Sequence, residues 1–447
     1  LTARLTFYQF RRRTAQALLG IVAFAVFAFG AVDIEAQAAT AVAVLGLLAV
    51  WALKKAADGF EVVSTPLYFP LGLVAAVAIV QVASGATAAP YATSGALLSW
   101  LVYLAFFFLA ANTLCDASIR NRFYQGLLWI VSLAAGLGIG QWLTSSGTVY
   151  WFRPVPGGEP FGPFANGEHF AALIVLAFPV ALMQALRRRS RKHYFFAACA
   201  VMIAALAFLD SAAGLIIVAV QLVALAAMVS GLTFASALRS RRRGPNFVWG
   251  VLGAIGLGMA LLAASWSTGL LRIGAADLES VEAVLERSDG LLTRAEVLET
   301  SWRLIEQKPI LGHGMGAFRQ VFGRMAPRQD GRLWAHAECD PVELGVDAGF
   351  LGLAAQGLLL ILLLLRARSL NVWGLVIAPL AGAWAHSWFS APMQTPAVML
   401  VGLALLGCTP GLIERVAVRR EKAAAAVAQE SSDEQKPVSK RTRRKRQ

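Results

Sequence analysis

The feature that most constrains this chain is the recurrence of apolar runs, each close to the ~20 residues that cross a bilayer as a helix. They can be read at Ala15 to Val32, Ala38 to Leu53, Leu67 to Ala83, Ser94 to Ala111, Tyr124 to Leu143 and Glu168 to Leu186. A second set follows at Tyr194 to Leu209, Ser211 to Val229, Phe247 to Ser265, Gly349 to Leu365, Asn371 to Phe389 and Pro396 to Ile413. This reading gives about twelve spans. With 57% hydrophobic and only 15% charged residues, the chain is too apolar for a soluble globular protein. It reads as an all-α polytopic membrane protein over residues 1–413.

Basic residues test the span count, because they should collect in every second loop. One side holds Arg11 to Arg13, Lys54, Lys55, Arg120, Arg122, the Arg187 to Lys192 cluster, Arg239 to Arg243, Arg366, Arg368 and the C-terminal tail. That side carries 30 of the 40 Lys and Arg residues and is expected to be the cytoplasm, with both termini. The other ten are Arg153, in a loop from Thr144 to Gly167, and nine in a longer loop, residues 266–348. Both long loops are therefore expected outside.

The net charge of +14 sits in short cytoplasmic loops and in the tail, so it points to topology and anionic lipid rather than to nucleic acid. The tail, 414–447, is poor in large apolar residues and reads as disordered. The first apolar run leads straight into a second span and reads as a retained helix, not a cleaved signal peptide. Of the four cysteines, Cys199 and Cys408 lie in spans, Cys115 in a cytoplasmic loop and Cys339 outside, so no disulfide framework is expected.

No span carries a charge near its middle, which argues against an ion-coupled transporter. Chemistry is instead expected in the polar stretch Trp266 to Gly349, which must lie in water or a headgroup-level cleft. Four of the five histidines gather toward the outer face: His169 opens the sixth span, His386 ends the eleventh, and His313 and His336 lie in the outer loop. Only His193 belongs to a cytoplasmic cluster. A lone interfacial histidine is more often structural than catalytic, but four on one face weaken that reading.

Within the loop, Leu291, Ala295, Leu298, Trp302 and Ile305 recur at helical spacing, with Arg294, Glu299 and Arg303 off the stripe and Pro309 as a stop. The glycines of Gly312-His313-Gly314-Met315-Gly316 lack the strand and lysine of a P-loop, so they read as a tight turn more readily than as a phosphate cradle. The stretch from Trp334 to Gly345 holds His336 with Glu338, Asp340 and Glu343. It matches no zinc spacing such as HExxH, and suits a general base oriented by an acid better than a metal site.

Four blocks, in order between residues 160 and 410, carry a resemblance. Phe161-Gly-Pro-Phe-Ala-Asn166-Gly-Glu168-His169-Phe-Ala171 opens the sixth span. Arg294 runs through Trp302 to Pro309-Ile-Leu-Gly-His313-Gly-Met-Gly-Ala-Phe318. His336-Ala-Glu-Cys-Asp340 precedes Gly349-Phe-Leu-Gly352, and His386-Ser387 leads to Gln394-Thr-Pro-Ala397. Together they resemble the O-antigen ligase and O-antigen polymerase superfamily of bacterial membrane glycosyltransferases. Three positions depart from that pattern: Glu168 replaces a second Asn, Asp210-Ser211-Ala-Ala-Gly214 has no Arg where the family often has Ser-Arg-Gly, and Ala337 follows His336 where Asn is usual.

The resemblance implies a membrane glycosyltransferase C-type fold in the bacterial inner membrane, with no metal or other cofactor. It implies transfer of glycan from an undecaprenyl diphosphate carrier to a glycan, lipid A core or protein acceptor at the outer face. On it, His336 is expected as base with Glu338 in reserve, Arg294 and Arg153 as diphosphate ligands, and His313, His169, Asn166 and His386 in support. A protein O-oligosaccharyltransferase, a shape and division type peptidoglycan polymerase and a glycan or lipid transporter are the alternatives.

Overall fold

A computed structural model describes residues 2–145, 147–155, 159–187, 192–237, 294–326, 334–366 and 369–413. The expected span Phe247 to Ser265, the first part of the outer loop, and the tail lie outside the described residues. Among the described residues, eight helices are long and apolar enough to cross a membrane. They are α2 (Ile34–Asp58), α4 (Pro90–Thr113), α5 (Ala117–Thr144), α6 (Gly167–Arg187), α7 (Lys192–Leu209), α8 (Ala212–Ala237), α11 (Asp340–Leu365) and α13 (Pro396–Ile413). Two shorter apolar helices are α3 (Tyr68–Ala83) and α12 (Leu370–His386), and α1 (Thr2–Phe27) carries Arg11 to Arg13 in its first half. Two amphipathic helices, α9 (Arg294–Gln307) and α10 (Phe318–Met325), complete the set. The one sheet among the described residues is a hairpin, β1 (Thr148–Val149) with β2 (Arg153–Pro154). The protein is an all-α, multi-pass membrane protein.

α6 is apolar all round, as a helix must be when every face meets another helix. It packs on α5, α7, α8, α12 and α13, and nearly every residue from Phe170 to Ala185 is buried. The end of this central helix is consequently a fixed platform for Glu168 and His169.

Two expectations need correction. The tenth span does not start at Gly349: helix begins at Asp340, and Gly349 breaks it with φ 61° and ψ −158°. Hydropathy read the preceding charged turns as loop, whereas their carboxylates are satisfied inside the protein, as described below. In α9 the helix stops before Pro309 as expected, but the buried face is Val297, Thr300, Ser301, Leu304 and Ile305, while Trp302 is exposed. Ser301 can be buried because its hydroxyl donates to the Val297 carbonyl at 2.6 Å.

Candidate functional site

The block around Asn166 builds the first wall of the site. Phe161 and Phe164 exchange both backbone hydrogen bonds, at 3.0 and 3.1 Å, and Gly162 between them takes φ +58°. A side chain at Gly162 would meet the Ala134 carbonyl at 3.0 Å, so the turn fits only with glycine pressed on α5. Asn166 then caps α6, its Oδ1 accepting from the Glu168 N–H at 2.9 Å. Glu168 Oε2 accepts from the Ser211 hydroxyl at 2.9 Å, and His169 Nδ1 lies 2.7 Å from Thr395 Oγ1.

The second wall is the segment before α11. His336 Nδ1 lies 2.9 Å from Oε1 of Glu343, whose other oxygen accepts from the Ala337 N–H at 2.9 Å. Glu343 is buried at 4% side-chain exposure, whereas His336 is 38% exposed. With a carboxyl oxygen opposite Nδ1, the tautomer that suits the pair carries its proton on Nδ1 and leaves Nε2 as the acceptor in the neutral ring. Burial pulls the His336 pKa down, but the hydrogen bond and charge of Glu343, with the charges of Asp340 and Glu338, leave it above its ordinary 6.5. Glu338 contributes differently. Burial pushes its own pKa up against the charges of His336 and Arg294, and its backbone takes φ +53°, unusual for a residue with a side chain.

Arg294, the first residue of α9, ties this wall to the third. One nitrogen, Nη2, donates to the Glu338 carbonyl at 2.9 Å and to the Trp388 carbonyl at 2.7 Å. The segment after α12 is held further by the Asp340 N–H donating to the Ser387 carbonyl and the Met393 N–H donating to Asp340 Oδ2, both at 3.0 Å. Its His386 is fully buried, with Nε2 3.1 Å from Glu168 Oε2. Neither ring nitrogen of His386 makes a properly aligned hydrogen bond, so that contact is electrostatic rather than directional. Electrostatic interaction also links His169 to both His336 and His386.

The structure thus brings together His336, Glu338, Arg294, His169, Asn166 and His386, drawn from four segments far apart in sequence. It does not bring His313 or Arg153 into the same set. His313 is buried with Nε2 2.9 Å from the Leu304 carbonyl, and burial lowers its pKa. The glycine turn around it spends its N–H groups internally: His313 N–H donates to Val346 O, Gly314 N–H to Asp347 O, and Met315 N–H to Gln81 Oε1. The Gly316 and Phe318 N–H groups grip the Asp347 carboxylate at 2.7 and 3.0 Å, occupying the place a phosphate would need. The turn is a packing device.

Arg153 makes a bidentate pair with Asp33, at 2.6 and 2.8 Å, and its guanidinium lies 4.3 Å from the Phe29 ring centroid. The hydrogen bond from Arg153 lowers the Asp33 pKa. This pair fastens the hairpin to the turn after α1.

Sequence reasoning missed Glu343 as the partner of His336, together with Ser211 and Thr395. For Glu343 a signal existed: an acid in the first turn of an apolar helix needs a partner nearby. Among the described residues no three His, Cys, Asp or Glu side chains are grouped to hold a metal ion. No curated protein matches the chain significantly. Residues 206–356, about a third of the chain, match the family model described as O-Antigen ligase; they begin in α7 and take in α8, α9, α10, the His336 segment and the first half of α11. Over that region the chain is similar to the O-antigen ligase family, the same likeness that its motifs carry.

Proposed function

We propose that this protein transfers a glycan from an undecaprenyl diphosphate carrier to an acceptor hydroxyl at the outer face of the bacterial inner membrane. The observation that carries the reading is the His336 to Glu343 pair at 2.9 Å, beside an arginine whose guanidinium is only partly used. His336 Nε2 takes the acceptor proton, and Glu343 steadies the imidazolium that forms. The acceptor oxygen attacks the anomeric carbon, and the bond to the diphosphate breaks with its electron pair going to the carrier. Arg294 stabilises the departing charge with the N–H groups that Glu338 and Trp388 leave free.

Glu338 sets the loop and the field around His336. Arg153 acts through the hairpin it anchors, and His169, Asn166 and His386 hold the end of α6. The positive charge the leaving group needs comes from protein, so the reaction is expected to proceed without a metal. The test is transfer by purified protein from an isolated undecaprenyl diphosphate glycan in EDTA. Turnover that vanishes in EDTA and returns with a divalent cation contradicts the metal-free part; no turnover with glycan, lipid A core or protein acceptors contradicts the whole.

A further inference from the structure

The site contains two imidazole–carboxylate pairs built with opposite exposure. In one, a partly exposed histidine, His336, is backed by a buried carboxylate, Glu343. In the other, a partly exposed carboxylate, Glu168 at 39%, is backed by a fully buried histidine, His386. A single displacement needs one base, so the second pair is free for another task. Glu168 is well placed for one. Its Oε2 is held by Ser211 at 2.9 Å and faced by His386 at 3.1 Å, while Oε1 takes no hydrogen bond among the described residues. The backbone of Glu168 is fixed by the Asn166 cap on α6, the most buried of the candidate spans among the described residues.

Charge decides what this carboxylate can bind. Asp210, in a turn with φ +59°, is a second carboxylate close enough to feel the charge of Glu168, and no arginine stands at 211 to 214. That edge of the site offers carboxylates and no guanidinium to a diphosphate, whereas Arg294 offers one. An acceptor sugar carries hydroxyl donors and no obligatory negative charge. A fixed carboxylate oxygen accepts strongly from such a hydroxyl.

Resting on the reaction proposed above, we infer that Glu168 is the acceptor-side positioning residue: its Oε1 accepts a hydrogen bond from a sugar hydroxyl neighbouring the attacking one. The unaligned imidazole of His386 behind it keeps the carboxylate in place without competing for that oxygen. Glu168 touches the acceptor and sets its orientation, and it takes no proton in the reaction.

The experiment measures transfer by purified protein with the lipid-linked repeat unit as donor and, as acceptor, whichever of lipid A core oligosaccharide or unlinked repeat unit the wild type glycosylates. Glu168→Gln keeps the shape but removes the charge, and is expected to raise the acceptor KM by about 10- to 100-fold. The donor KM, kcat at saturating acceptor and the acid limb of the pH profile should stay within about twofold of wild type. Glu168→Asp, which retains the charge one methylene back, should give an intermediate acceptor KM and serves if the Gln variant does not fold. An unchanged acceptor KM in both variants overturns the inference. So does a collapse of kcat at saturating acceptor, which would make Glu168 a proton acceptor or a structural part. Lack of wild-type turnover is a different outcome, which defeats the underlying reaction and with it this assignment.

Discussion

His336 and Glu343 meet across the junction between the segment before α11 and the first turn of that helix, with Nδ1 and Oε1 2.9 Å apart. The carboxylate is buried and the imidazole reaches the surface, so the pair has a direction: negative charge behind, free Nε2 in front.

That direction gives a pH dependence. The pKa of His336 is raised above 6.5, so the basic form, and with it the rate, is gained as pH rises through the raised value. Glu343→Gln removes the charge that raises it, and is expected to move the acid limb of the kcat/KM profile to lower pH while lowering the plateau. Stability follows the opposite sign. For a raised histidine, the stabilisation by pairing is complete below about 6.5 and is lost as pH rises through the folded-state pKa. Thermal unfolding in detergent across pH 5 to 9, wild type against Glu343→Gln, checks both the window and the sign.

Arg294→Lys is expected to fold, and to lose about tenfold or more in kcat at matched protein level, because an ammonium cannot bridge two carbonyls and still offer a fork to phosphate. Arg153→Ala should instead lose stability through the hairpin, with a smaller loss of kcat. Near wild-type transfer by Arg294→Lys would mark it as a structural clip only.

Gly349→Ala should destabilise the fold by about 2 kcal/mol or more, since φ 61° and ψ −158° suit glycine almost alone. A Cβ there would collide with the Ile310 carbonyl oxygen, and one at Gly312 would lie 2.5 Å from the Asp347 backbone. Yield and melting temperature of the two alanine variants report this directly. Wild-type melting in both would mean that the turn and α11 can separate without cost.

Reporter fusions after Lys192, after Arg243 and at the C-terminus should report cytoplasm, and fusions near Gly157 and Asp330 should report the outside. A cytoplasmic report at Asp330 would put His336 on the wrong face for the proposed reaction.

The helical, multi-pass character was legible because lipid demands long apolar runs, and α9 was legible because Pro309 stops it. The buried face of α9 was not, since a stripe search weighs large apolar residues and overlooks Ser301 and its bond to Val297. The start of α11 was hidden for a related reason. Asp340, Glu343 and Asp347 read as water-facing, while their partners include Met393, His336, Gly316 and Phe318. His336, Arg294, His169 and His386 could be named from motifs. That Glu343 rather than Glu338 hydrogen-bonds the His336 ring follows from how the segment meets α11, and no spacing rule encodes it.

The central claim is that His336 takes the acceptor's proton. It is tested most directly by transfer from purified undecaprenyl diphosphate glycan in EDTA, comparing wild type, His336→Ala, His336→Gln and the cytoplasmic-cluster control His193→Ala. The expected result is wild-type turnover in His193→Ala and a loss of ~10²- to 10⁴-fold in both His336 variants at equal folded protein. Robust turnover by either His336 variant would contradict the claim.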